Sequence, residues 1–224
     1  MPVISFVSSK GGVGKTTGAV VLAGELAEAG HSVIMIDADP NRPLLIWEKV
    51  RALPPAISIT ADESADTIID TIDAARAQAD IVIVDLEGTA TDRVGFAVTR
   101  SDLVLVPVQA SVLDATEAAK AIKLVRQMSR VTGRDIPYRL YFSKSAPAIR
   151  ERTARDIHEQ FTQASVPVLP ASLVDRAAFR ALFSLGGTLH MLDSTDVGGL
   201  EAARQNALTF AQAVVDAFPK KAAA

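Results

Sequence analysis

The sequence predicts an α/β fold: a three-layer, doubly wound, mostly parallel sheet with helices on both faces. Three observations predict it. Short apolar runs alternate with helical patterns along the whole chain, the order expected of repeated strand–helix units. Most of those runs are unbroken Val, Ile and Leu, as in strands buried on both faces. Several polar residues of chemical interest stand just after strand candidates, where open α/β sheets bind their ligands.

The first strand candidate is 3–7, and the helical pattern at 17–29 ends on Gly30 as a C-cap. Strand 33–36 leads to helix 43–52, with Pro43 suited to a first helical position. Strand 57–59 precedes helix 64–77, and strand 81–84 precedes helix 92–99. Strand 103–106 leads to helix 115–132, with Asp114 expected as its cap and Gly133 as its stop. Strand 139–142, helix 148–164 and strand 166–169 follow, and helices 176–185 and 200–218 close the chain. A length of 224 residues without linker, repeat or low-complexity tract reads as one domain over 1–224, with 219–224 a frayed tail.

The chain has no cysteine. That excludes thiolate metal sites, iron–sulfur clusters and a disulfide framework. No basic leader precedes the first strand, and no stretch has the length and apolarity of a membrane span, so a soluble cytoplasmic protein is expected. Net charge is −3, unevenly spread: residues 126–180 hold ten Lys/Arg against five Asp/Glu. That +5 segment reads either as a local nucleic-acid footprint or as solvated helix surface. The histidines His31, His158 and His190 have no metal-ligand spacing.

The run Ser9-Lys10-Gly11-Gly12-Val13-Gly14-Lys15-Thr16-Thr17 lies directly between the first strand and the first helix. Glycines let backbone N–H groups turn inward around phosphate oxygens, and the helix adds its positive end. Lys15 has the position to reach β- and γ-phosphates, and the Thr16 hydroxyl to ligate Mg²⁺. Asp37 and Asp39 follow the second strand. One carboxylate there can hold a water of a Mg²⁺ shell while the other orients an attacking water; helix capping with a Pro-containing turn is the other reading. Asp85 ends an apolar strand, the Walker B form for a Mg²⁺ site, with a capping role as its alternative.

Where an ordinary Walker loop has its first glycine stands Ser9, and a second lysine, Lys10, opens the loop. Lys-Gly-Gly-x-Gly-Lys-Thr-Thr resembles the deviant Walker A loop of the ParA/MinD family of ATPases. Asp37-Ala38-Asp39-Pro40 resembles that family's Asp-x-Asp-Pro-Gln string, with Asn41 at the glutamine position. The string Pro107-Val108-Gln109 resembles the family's strand end before a loop that contacts the dimer partner. Late strings, Asp175-Arg176-Ala177-Ala178-Phe179 and Gly186-Gly187-Thr188-Leu189, resemble small plasmid ParA proteins of the ParF type and VirC-type conjugation ATPases. After Asp85 the family usually has Thr-Pro-Pro, whereas this chain has Leu86-Glu87-Gly88-Thr89, which leaves open whether Glu87 faces a nucleotide. The missing cysteines set the chain apart from the nitrogenase iron-protein branch.

The resemblance implies a Mg²⁺-dependent ATPase that binds ATP through Lys10, Gly11, Gly12, Val13, Gly14, Lys15, Thr16 and Thr17. It implies that Lys10 crosses a dimer interface to the partner's nucleotide. Thr16, Asp37 and Asp85 would serve the metal, Asp39 the hydrolytic water, and the loop at Pro170 with the late strings would flank the adenine. It further implies an ATP-dependent homodimer that binds DNA without sequence preference, a ParB-like activating partner, and a nucleoid-associated role in plasmid segregation. The expected DNA contacts are Arg150, Arg152, Arg155, Arg176 and Arg180. One rival is a membrane-cycling MinD-like protein, which needs a basic amphipathic C-terminal helix; Arg204 is the only basic residue in 200–218. Another is a conjugation accessory or a positioner of protein clusters.

Overall fold

The unbroken apolar runs are strands, and successive residues in each feed two different cores. The computed structural model describes residues 1–89, 91–145 and 151–218, with the backbone alone at Val112 and over 151–155. In chain order the elements are β1 (Val3–Phe6), α1 (Lys15–Glu28), β2 (Val33–Ala38), α2 (Pro43–Val50), β3 (Ile57–Ala61) and α3 (Ile68–Arg76). Next come β4 (Ile81–Leu86), α4 (Asp92–Arg100), β5 (Leu103–Val108), α5 (Val112–Thr132) and β6 (Tyr138–Ser145). The chain continues through α6 (Glu151–Gln163), β7 (Leu173–Val174), α7 (Ala177–Leu185) and α8 (Leu200–Asp216). Seven strands form one parallel sheet in the order β3-β2-β4-β1-β5-β6-β7.

Side chains alternate across a strand, so Ile4, Phe6, Leu103 and Leu105 join one core while Val3, Val7, Val104 and Val106 join the other. The first core packs α1, α2, α7 and α8; the second packs α3, α4, α5 and α6. Trp47, Phe6, Tyr141 and Phe210 are fully buried in the first core, each stabilising the fold by roughly 1.5–3 kcal/mol through burial. Tyr141 packs edge-on to Phe6 at 6.2 Å and against Phe210 at 5.0 Å. Its hydroxyl continues upward to the carbonyl of Gly14, 3.2 Å away. The core is thereby tied to the glycine loop above β1.

Two expectations need correction. Residues 166–169 are not a strand: Val168 makes one isolated parallel bridge with Leu140, and the seventh strand is β7. Pro167 and Pro170 bracket that bridge, and a proline offers no N–H to extend a ladder. Asp114 does not cap α5. The cap is Ser111, whose side chain accepts from the Asp114 backbone N–H, while the Asp114 carboxylate takes the Ser111 hydroxyl in return. The two side chains thus brace each other, while the Ser111 backbone N–H donates to the Gln109 carbonyl. The predicted start of α6 at 148 and the tail 219–224 lie outside the described residues.

Candidate phosphate-binding site

Gly14 is the N-cap of α1 at φ 106°, and Gly12 has φ 71°, a left-handed region that a β-carbon disfavours. The loop therefore turns over the first turn of α1. The unpaired N–H groups and positive end of that helix face an open cavity of about 540 Å³. Gly11, Lys15 and Thr16 line it from the loop, Asp39 and Asn41 from the end of β2, and Glu87 and Gly88 from the end of β4. A β-carbon on Gly88 would stand 2.8 Å from the Gly11 nitrogen, so only glycine lets this chain turn lie against the loop. Lys144, from β6, closes the remaining side. Neither Gly88 nor Lys144 carried a signal in the sequence, because both act through contacts made across the sheet.

The carboxylates divide their roles. Asp37 and Asp85 are paired neighbours at the ends of β2 and β4. Asp37 accepts the backbone N–H groups of Leu44 at 2.8 Å and Leu45 at 3.0 Å, which ties it to the first turn of α2. Burial raises its pKa against those hydrogen bonds. Asp85 is 1% exposed. It accepts the Thr16 hydroxyl at 2.6 Å on Oδ2, while its Oδ1 is buried without a hydrogen-bond partner. Burial pushes its carboxyl up to about 7 against the pull of Thr16 and Lys15. A buried, unpartnered carboxylate oxygen beside a threonine hydroxyl fits a hard cation. Thr16 and Asp85 would hold Mg²⁺ there. Among the described residues no group of three or more His, Cys, Asp or Glu is arranged for a metal, so phosphate oxygens and water would complete the shell.

Lys15 is 6% exposed at the cavity floor. Burial lowers its pKa, opposed by Asp85, Asp39 and Glu87. Glu87 does face the cavity, but it is held by the Thr91 hydroxyl at 2.7 Å and by Arg93 at 2.5 Å. Burial would raise its pKa, yet those hydrogen bonds outweigh it and keep the carboxyl below its ordinary value. Asp39 accepts both the backbone and side-chain N–H of Asn41 on Oδ1, each at 2.9 Å. Lys10 is not among the residues lining the cavity. Its side chain is 45% exposed, and its ammonium pairs with the buried Asp114 Oδ1 at 2.8 Å at the foot of α5.

A second cavity of about 260 Å³ adjoins the first past Gly14 and Thr17, walled by Ser143, Val174 and Phe179. Arg176 and Arg180, expected as DNA contacts, line this cavity, and Arg180 pairs with Asp175. Pro170 lines neither cavity; it borders a hollow against α8 with Gln205 and Thr209. Arg150 lies outside the described residues, and Arg152 and Arg155 are described only as backbone of α6. His190 Nε2 is 2.9 Å from Glu25 Oε1.

Comparison with known proteins agrees with this geometry. The VirC1 protein family model matches residues 1–218. Protein ParA of Rhizobium radiobacter is 40% identical over 214 residues, covering 96% of each chain. The cell division protein MinD of Aquifex aeolicus superposes with a TM-score of 0.74 over 96% of this chain and 98% of its own, at 18% identity. A plasmid partition protein of Borrelia burgdorferi B31, solved bound to AMPPNP, superposes with a TM-score of 0.70 over 96% and 98%, at 14% identity. With a P-loop above β1, a buried acid at the end of β4 and these relatives along nearly its full length, the chain belongs to the VirC1 family and, with ParA, to the ParA/MinD family of P-loop ATPases.

Proposed function

We propose that the protein is a Mg²⁺-dependent ATPase of the partition type, whose ATP-bound form is a homodimer that binds DNA without sequence preference. The observation that carries the reading is Asp85, buried beside Thr16 and Lys15 with one oxygen unpartnered under an anion-binding loop. Bound Mg²⁺ would neutralise charge between the β- and γ-phosphates. Lys15 and the N–H groups of the loop would hold the phosphates, and Asp39 would orient the attacking water. The second cavity, with Phe179 as an apolar wall, is the candidate place for the base. The nucleotide analogue bound by the Borrelia relative supports the same ligand class. A ParB-like partner would stimulate turnover.

Lys10 supports the dimer. It is the loop's second cation, yet its half-exposed side chain sits on the buried Asp114 rather than in its own cradle, from where it would turn to a second chain's phosphates. Lys10→Ala is expected to bind ATP within about threefold of wild type but to stay monomeric and inactive. Sedimentation with ATP and Mg²⁺, beside an ATPase assay, checks this. An ATP-dependent dimer equal to wild type would remove the shared-site reading.

For DNA, the supporting observation is a run of five basic residues and no acid between Glu117 and Asp135. Lys123, Arg126 and Arg130 line an open hollow between α5 and the end of α6. Binding by such a surface is mostly counterion release and falls steeply with salt. Charge reversal at Lys123 and Arg130, or at Arg152 and Arg155, is expected to weaken a gel shift in ATP by roughly tenfold or more while leaving dimerisation intact. Two double variants that both retard DNA like wild type would move the contact surface elsewhere, and a wild type that never shifts DNA in ATP would end the DNA reading.

A second reading, a conjugation accessory, is favoured by the VirC1 family match over residues 1–218; it uses the same switch with a different partner. Membrane cycling has less support. No described helix is long and apolar enough to cross a membrane, and α8 buries Phe210 and Val214 in the core.

A further inference from the structure

Three neighbouring β6 side chains donate to three successive carbonyls of the glycine loop. Tyr141 reaches Gly14 O at 3.2 Å, Ser143 reaches Val13 O at 2.5 Å, and the Lys144 ammonium reaches Gly12 O at 2.7 Å. Tyr141 and Ser143 lie two apart and share a strand face. Lys144 follows Ser143 directly and in a regular strand would point the other way. It does not, because β6 carries a register shift between Ser143 and Ser145 against β7, and Lys144 has φ 50°. A bulge with a left-handed residue re-aims a side chain, and a side chain other than glycine is seldom kept in that region without compensation.

The re-aimed side chain lies where the two cavities meet. Lys144 lines both the phosphate cavity and the second cavity, together with Gly14 and Thr17. A ligand with phosphates in one cavity and a base in the other must pass it at the α-phosphate and ribose. We propose that Lys144 is a third lysine of the nucleotide site, placed by the β6 bulge to contact the phosphate chain at its ribose end. This rests on the nucleotide reading above. The side chain is exposed and, among the described residues, its ammonium is held by a neutral carbonyl alone, so it can exchange that partner for a phosphate oxygen, which gives the stronger, charge-assisted bond. A contact at this end is shared by ATP and ADP. It therefore adds affinity for both and does not discriminate the γ-phosphate, unlike a contact at the far end of the loop.

The test titrates ATP and ADP calorimetrically into wild type, Lys144→Met, Lys144→Gly and Lys144→Arg, with the melting temperature of each nucleotide-free protein. Lys144→Met is expected to weaken ATP and ADP alike by about tenfold. Lys144→Gly is expected to lose as much while melting at or above wild type, because glycine relieves the backbone. Lys144→Arg is expected to stay within about threefold of wild type. A merely structural peg would tie lost affinity to lost stability, and the glycine variant separates the two. Unchanged affinity in Lys144→Met, or a loss confined to ATP, overturns the assignment. Wild type that binds neither nucleotide overturns instead the reading on which it rests.

Discussion

Lys15→Ala is expected to lose ATP binding by about a hundredfold or more, the largest effect of any single change in the loop. Its ammonium is almost fully buried at the cavity floor, where Asp85, Asp39 and Glu87 all act on it. Without it, a polyphosphate would enter a site with three acids nearby and no lysine at the cavity floor. A hydrogen bond to a charged group contributes about 1.5–3 kcal/mol, and a hundredfold is about 2.7 kcal/mol, so this one contact accounts for the loss before any repulsion is added. Equilibrium titration with a fluorescent ATP analogue measures it. Affinity within twofold of wild type would mean that the loop does not hold phosphate through Lys15. The fold is expected to survive: Lys15 is the first residue of α1, and alanine is the best helix former.

The parts of this site that can be read along the chain are those set by local spacing. The glycine loop, Lys15 and Thr16 declare themselves because strand, loop and helix are contiguous. Asp39 and Asp85 do so because each closes or follows an apolar strand. Asp37 was legible as a carboxylate near the site with capping as one of its readings, and the turn through Arg42, at φ 51°, brings round the α2 N–H groups it accepts. Lys144 and Gly88 were illegible for a stronger reason. Their meaning arises from β4 lying beside β1 and β6 beside β5 in the sheet, and no spacing along the chain encodes that neighbourhood. Strand β7 was missed by four residues, since the apolar run 166–169 carries the β-pattern while its prolines forbid the ladder.

Asp39→Ala is expected to trap the ATP state: turnover falls by about a hundredfold or more, ATP affinity stays within a few-fold of wild type, and the dimer persists. Two carboxylates compete for the water-positioning role, and their surroundings decide between them. Glu87 is committed to Thr91 and to Arg93, which is itself nearly buried and also holds the Glu63 carbonyl; moving that carboxylate toward a water would break an ion pair inside the protein. Among the described residues the Asp39 carboxylate is held through Oδ1 alone, by Asn41. It lines the same cavity as Lys15 and Thr16, with its second oxygen free to accept from a water near the terminal phosphate. Loss of Asp39 removes a negative charge from beside the phosphates, so binding has no electrostatic reason to weaken. Steady-state phosphate release, measured beside sedimentation in ATP and Mg²⁺, separates the cases. Asp39→Ala with wild-type turnover, and Glu87→Gln without turnover, would transfer the role to Glu87 and make the Arg93 pair its support. The opposite pattern leaves Glu87 as the brace that shapes the end of β4 around Gly88 and the loop.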